Sequence, residues 1–202
     1  MEPFSLALGM DNEHFRPWQN VIFSSSDCLL LVEGATDKEY FELLRDPGHG
    51  DRGLKFEGEI FPYGGKDTLQ QKQLLKFIRE KYKIFIVTYD LDVQCEIEPC
   101  LKDIGLVKGE SYIAIGKQMA GKENIEGLLP ESVTKAVFTD CSDLVQKALS
   151  GKRDEQKSAK SSLKKLFLEE FKRSASADSD HYKEFYLLAK QINKMVAAQL
   201  GR

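Results

Sequence analysis

The sequence predicts an α/β fold: a parallel sheet of about four strands flanked by helices, with a helical elaboration at the C-terminal end. Three observations carry this. Leu29–Val32 and Ile84–Val87 are continuous apolar runs, as expected of strands covered on both faces. Stretches with helically spaced apolar residues separate the strand candidates, the alternation that builds a parallel sheet through crossovers. Both runs also end abruptly in carboxylates, within LVEGATD at 31–37 and TYDLD at 88–92.

Residues 1–26 mix single apolar residues with Pro3, Pro17, Trp18 and three consecutive serines, and read as a linker or a short packing arm. The α/β core is expected over 27–130 and the helical elaboration over 131–202. Cys28–Val32 is the first strand. Gly34 turns the chain into a helix that Thr36 and Glu39 start as a capping box, with Tyr40, Phe41, Leu43 and Leu44 on its inner face. Arg45–Gly58, with four glycines and Pro47, is a loop. In the second strand, Glu59–Tyr63, Pro62 removes a ladder donor and pushes the strand towards an edge or an end.

Thr68 and Gln71 repeat the capping-box spacing ahead of the stripe Leu74, Leu75, Phe77 and Ile78, and the third strand begins at Ile84. A short helix over Glu96–Ile104 and a fourth strand over Tyr112–Ile115 follow. Beyond Pro130 the character changes. Leu163, Leu166, Phe167 and Phe171 are helically spaced, and a last helix carries Tyr182, Phe185, Leu188, Ala189, Ile192, Met195 and Val196.

A chain of 202 residues, 42% hydrophobic, buries one good core with an appendage, not two large domains. Its net charge of -3 argues against holding nucleic acid by bulk basicity, so phosphate binding must be local or metal-assisted. One local exception exists. Between Lys147 and Arg173, nine Lys or Arg stand against four Asp or Glu, an excess of five positive charges. The four cysteines form no CxxC pair or zinc-like array and are sparse for a disulfide scaffold, which suits a reduced, cytoplasmic chain. No secretory signal and no apolar stretch of bilayer-spanning length is present, so no membrane association is expected. His14, His49 and His181 are dispersed without ligand spacing. GKQMAGK at 116–122 meets the spacing of a phosphate-binding loop, but Glu123 stands where a Ser or Thr should reach the metal, so the match is rejected.

The acids carry the chemistry. On a strand, residues two apart point the same way, so Asp90 and Asp92 share a side if the strand continues that far. Glu33 and Asp37 leave the other strand and enter a first helical turn, where exposed amides favour anions. Four acids then meet beyond the C-terminal ends of two strands, the crevice where open α/β sheets bind ligands. Such carboxylates repel one another and their pKa values rise unless a cation neutralises them. Mg²⁺ or Mn²⁺, most simply as two ions, is the expected cofactor. Thr88 shares the parity of Asp90 and is a candidate substrate contact, as is Lys66 after the Gly64-Gly65 pair, where the backbone can approach a phosphate closely.

Glu33-Gly34 after one apolar strand and Asp90-Leu91-Asp92 after another resemble the Toprim domain of topoisomerases, bacterial primases and several nucleases. The fuller order VEGATD, GGKD at 64–67, TYDLD and NIEGLLP at 124–130 is most similar to the nuclease region of the overcoming-lysogenization-defect (OLD) family, over about Cys28–Pro130. The resemblance implies a Rossmann-like core in which Glu33, Asp37, Asp90 and Asp92 are metal ligands or water-activating groups, and Glu126 is a further acid at the second metal position. It also implies a late lysine that stabilises the transition state, for which Lys183 is the candidate. Lys164 and Lys165, within the basic segment, are candidate contacts to the DNA backbone. Relatives of this type carry an ATPase domain ahead of the nuclease; Met1–Asp27 is too short to encode one, so the chain is expected to be a C-terminal fragment or a stand-alone relative.

The leading expectation is therefore a metal-dependent endonuclease that nicks or cleaves DNA. Nucleotidyl transfer, strand passage or RNA processing on the same fold is the enzymatic alternative. A non-catalytic phosphoacceptor or nucleic-acid docking module is the alternative from another class.

Overall fold

The computed structural model describes residues 2–8, 11–150, 152–176 and 180–201. Four strands, β1 (Cys28–Val32), β2 (Glu59–Pro62), β3 (Ile84–Asp90) and β4 (Tyr112–Ile115), form one sheet in the order β2-β1-β3-β4. Every pairing is parallel, with Leu30 opposite Ile60 on one side and Ile86 on the other, and Asp90 opposite Ile115. The sheet grows outward from β1 in both directions. Its topological switch point is thus the gap between β1 and β3, where open α/β sheets form their ligand crevice. Pro62 ends the edge strand β2, the position its missing donor dictates.

Strand alternation divides the interior in two. Leu30, Val32, Ile84 and Ile86 belong to one apolar cluster, and Leu29, Leu31, Phe85, Val87 and Tyr89 to the other. Both faces of β1 and β3 are covered, which is why their sequences are unbroken apolar runs rather than alternating ones.

Ten α-helices dress this sheet among the described residues. Helices α1 (Glu2–Ala7), α2 (Asn12–Phe15) and α3 (Gln19–Ile22) form an N-terminal arm that buries Phe15, Trp18, Val21 and Ile22 in the second cluster, with Trp18 against Phe61. That cluster also takes the apolar faces of α5 (Lys72–Lys81) and α6 (Gln94–Asp103). The first cluster is covered by α4 (Ala35–Leu44), α7 (Glu131–Asp140), α8 (Ser142–Leu149), α9 (Arg153–Ser174) and α10 (Lys183–Leu200). Helices α7 to α10 therefore build one wall of the core, joined to α4 through a run of rings from Tyr40 to Phe171 and Phe185.

Two helix starts differ from the capping-box expectation. Thr36 lies inside α4; Gly34 is the N-cap, and the Asp37 carboxylate accepts from its backbone N–H at 3.1 Å. Thr68 falls in a 3-10 turn over Lys66–Gln70, and α5 starts only at Lys72. His49 is buried, with Nδ1 2.8 Å from the Tyr186 hydroxyl, while the side chain of His14 lies outside the described residues. No described helix is long and apolar enough to cross a membrane. The four cysteines are free.

Candidate acidic site at the sheet switch point

Four acids meet on the face of the sheet beneath α9. Asp90 is the last residue of β3, and alternation aims it to the same side as Ile84 and Ile86. Glu33 follows β1, and Asp37 sits in the first turn of α4, where its bond to the Gly34 amide fixes it. Glu126 arrives from a 3-10 turn over Ile125–Leu128 that the Asn124 side chain caps at the Gly127 amide, 3.1 Å away. A backbone bond from the Leu91 amide to the Glu123 carbonyl, 2.6 Å, ties this turn to the end of β3. Gly127 is obligatory here, because a Cβ would collide with the Lys122 backbone.

Asp37, Asp90 and Glu126 are only 3%, 8% and 8% exposed. Water cannot screen such charges, and their pKa values follow. Burial raises the Asp90 carboxyl first, then repulsion from Glu33 and Asp37, to about 9. Burial also raises Glu33, with Asp37 and Asp92 adding to it and the Asp90 backbone opposing. Asp37 and Glu126 are raised by burial and pulled back by Lys164. Lys164 lowers every one of the four. Burial pulls the Lys164 ammonium itself down, yet the summed charge of Glu126, Asp37, Asp90 and Glu33 overrides this and holds it raised.

Lys164 lies 3.4 Å from the Glu126 carboxylate, close enough for an ion pair but too far for a good hydrogen bond. Both Glu126 oxygens and Glu33 Oε2 accordingly remain buried without a hydrogen-bond partner. Orphaned buried carboxylate oxygens cost free energy unless something else satisfies them.

The donor set is all-oxygen and anionic, the chemistry that Mg²⁺, Mn²⁺ or Ca²⁺ prefers. As the side chains stand, no three His, Cys, Asp or Glu among the described residues surround one ion-sized position. The acids are arranged around an ammonium instead. In kind and burial they suit a divalent ion, and taking one up requires the carboxylates to draw together.

The structure places the other sequence-predicted site residues apart from this cluster or in different settings. The strand stops at Asp90, so strand parity does not extend to Asp92; it is exposed in a 3-10 turn and bears on the cluster through its charge on Glu33. Thr88 is 1% exposed and its hydroxyl donates to the Leu31 carbonyl at 3.0 Å, so it braces β3 to β1 rather than facing a ligand. Lys66 is turned to Glu96, 2.7 Å away. Lys183 is exposed at the first residue of α10, and the lysine acting on all four acids is Lys164. Lys165 is exposed and sits about 100° around α9 from Lys164.

The role of Lys164 as counter-ion was the feature sequence reasoning missed, although a signal existed. Lys164, Phe167, Leu168 and Phe171 are spaced i, i+3, i+4, i+7, which puts a lysine on the apolar face of its helix. A charge there needs a buried partner. Comparison with known proteins adds nothing to this geometry: no protein family, curated protein or solved structure matches the chain.

Proposed function

We infer that the chain is a divalent-metal-dependent nuclease with a Toprim-like core, hydrolysing phosphodiester bonds of DNA at the β1–β3 crevice. The observation that supports this best is the convergence of Glu33, Asp37, Asp90 and Glu126 on the switch point, with Asp90 driven up to about 9 by burial and by its acidic neighbours. Such repulsion costs stability, and strongly perturbed carboxylates gathered in a cleft are concentrated at functional sites.

In this reading Glu33, Asp37, Asp90 and Glu126 hold the ions, and exposed Asp92 lies at the rim, where the scissile strand enters. Bound Mg²⁺ or Mn²⁺ would supply an activated water and neutralise charge on the phosphoryl oxygens. The side chains do the rest. Asp37 is oriented by the Gly34 amide, and the Leu91–Glu123 bond and the Asn124 cap keep Glu126 in register with Asp90. Lys164, displaced from Glu126, becomes a cation available to the phosphate being attacked. The OLD-like ATPase partner and the cytoplasmic setting belong to the same proposal.

Supercoiled plasmid incubated in Mg²⁺ or Mn²⁺ tests it: wild-type protein converts it to nicked or linear form, while Asp90→Ala and Glu33→Ala lose at least a hundredfold in rate. Cleavage by both variants at the wild-type rate defeats the assignment. A non-catalytic reading has one observation in its favour: among the described residues no three acids form a ready-made ion enclosure. It predicts DNA retention without cleavage in any divalent ion.

A further inference from the structure

The excess positive charge of residues 147–173 is not spread evenly over its surface. Lys172 pairs with Glu39, Arg173 with Glu170, Lys152 with Glu155, and Lys164 with Glu126. Lys147, Arg153, Lys157, Lys160 and Lys165 are all exposed, and no ion pair holds them among the described residues; of these, Arg153, Lys157 and Lys160 share one face of α9. Their positions on α9 are informative. At 3.6 residues per turn, Arg153, Lys157 and Lys160 fall within about 20°, 20° and 40° of Lys164 around the helix axis.

The acids of this half of the helix lie elsewhere, Asp154 about 80° and Glu155 about 180° from Lys164. One face of α9 is therefore buried from Leu168 to Phe171, holds Lys164 at the acidic crevice, and continues outward as an acid-free basic stripe. From Arg153 to Lys164 the stripe runs about 16 Å at 1.5 Å per residue. That length spans several successive phosphates at about 3.4 Å per strand along a duplex axis. The remainder of the chain is net acidic, so the stripe is a local attractor for a polyanion and not part of a general basic surface.

We propose that Arg153, Lys157 and Lys160 are the substrate track of this protein: they bind the sugar–phosphate backbone of the nucleic acid and lead it along α9 to the crevice at Lys164. The proposal rests on the nuclease reading for its substrate, but binding along the stripe requires neither metal nor cleavage. The acids at the inner end repel phosphate until they are neutralised, whereas the stripe attracts it throughout. Affinity comes from the outer three cations, and chemistry from the inner cluster.

The test is fluorescence anisotropy of a labelled DNA duplex in EDTA, over a salt series, with wild-type protein, a Lys157→Gln/Lys160→Gln variant, and Lys135→Gln on α7 as a surface control. The double variant is expected to bind at least tenfold more weakly at low salt, and its slope of log affinity against log salt to fall by about 1.8, two contacts at about 0.9 each. Lys135→Gln keeps the wild-type affinity and slope, and all three proteins keep one melting temperature. Indistinguishable affinity and slope for wild type and double variant overturn the proposal, as does an equal loss in Lys135→Gln. No binding by the wild type in EDTA overturns the track and leaves the nuclease reading to the plasmid assay. Stripe-dependent binding without plasmid cleavage in Mg²⁺ or Mn²⁺ sinks the nuclease reading alone and leaves the track standing.

Discussion

The Lys164 ammonium stands 3.4 Å from the Glu126 carboxylate, and three further acids act on the same lysine. One cation thus serves four carboxyl groups that come from the end of β1, α4, β3 and the turn after β4. That imbalance organises the region, and a divalent ion is the simplest addition that would correct it.

Removing the lysine should expose the imbalance. Lys164→Met is expected to destabilise the metal-free protein by about 1–3 kcal/mol at pH 8, discounted from the cost of breaking a fully buried pair because about a third of the side chain stays in water. The acids compensate by protonating, so the loss shrinks at pH 6. Thermal melts of both proteins in EDTA at the two pH values check this, with Mn²⁺ expected to narrow the gap.

Asp90 dictates a pH dependence of definite sign. Its folded-state pKa is raised from 3.8 to about 9, so between those values the folded state holds more protons than the unfolded one. Stability contributed by the protonated carboxyl is present at low pH and is lost as pH rises towards 9. Metal-free wild type should therefore melt at progressively lower temperature from pH 5 to pH 9, and Asp90→Asn should flatten that trend. Metal uptake must expel the protons, so affinity for Mn²⁺ rises over the same range.

Thr88→Val separates architecture from substrate contact. The swap keeps the β-branched shape and deletes the bond to the Leu31 carbonyl, costing about 1–2 kcal/mol in a buried setting. Chemical denaturation should register that loss, while KM for DNA stays at the wild-type value. A raised KM with unchanged stability would return Thr88 to the substrate.

Much of this was legible in the chain itself. Unbroken apolar runs placed β1 and β3 because both faces of these strands are covered, and Pro62 marked the edge strand because it lacks a donor. The acids at the strand ends were legible because the apolar runs break off there, although Asp37 and Asp90 are themselves buried. Local signals failed where two devices compete for one role. Thr36 offered a capping hydroxyl, but the Asp37 carboxylate took the Gly34 amide and moved the helix start. Asp92 followed strand parity only on paper, because β3 turns into a 3-10 segment right after Asp90. Lys164 was hidden by distance: its partner Glu126 lies 38 residues away, and only packing of α9 over the sheet brings them together.

The turn carrying Glu126 has its own requirement. Gly127→Ala introduces a Cβ against the Lys122 backbone, which neither side chain rotation nor solvent can relieve. Overpacking of this kind costs about 1–3 kcal/mol. The expected result is a lower melting temperature together with weakened Mn²⁺ binding, read by thermal melts with and without the ion. Unchanged ion affinity would show that Glu126 is not a ligand.

The central claim is that the acids at the switch point take up a divalent cation, and calorimetric titration of Mn²⁺ into the protein at pH 8 measures it directly. Saturable binding is expected, with an apparent enthalpy that varies with the buffer because protons leave the carboxyls, and with no comparable signal in a Glu33→Gln/Asp90→Asn variant. A wild-type titration without binding heat in two buffers of different ionisation enthalpy, or one identical to that of the variant, would contradict it.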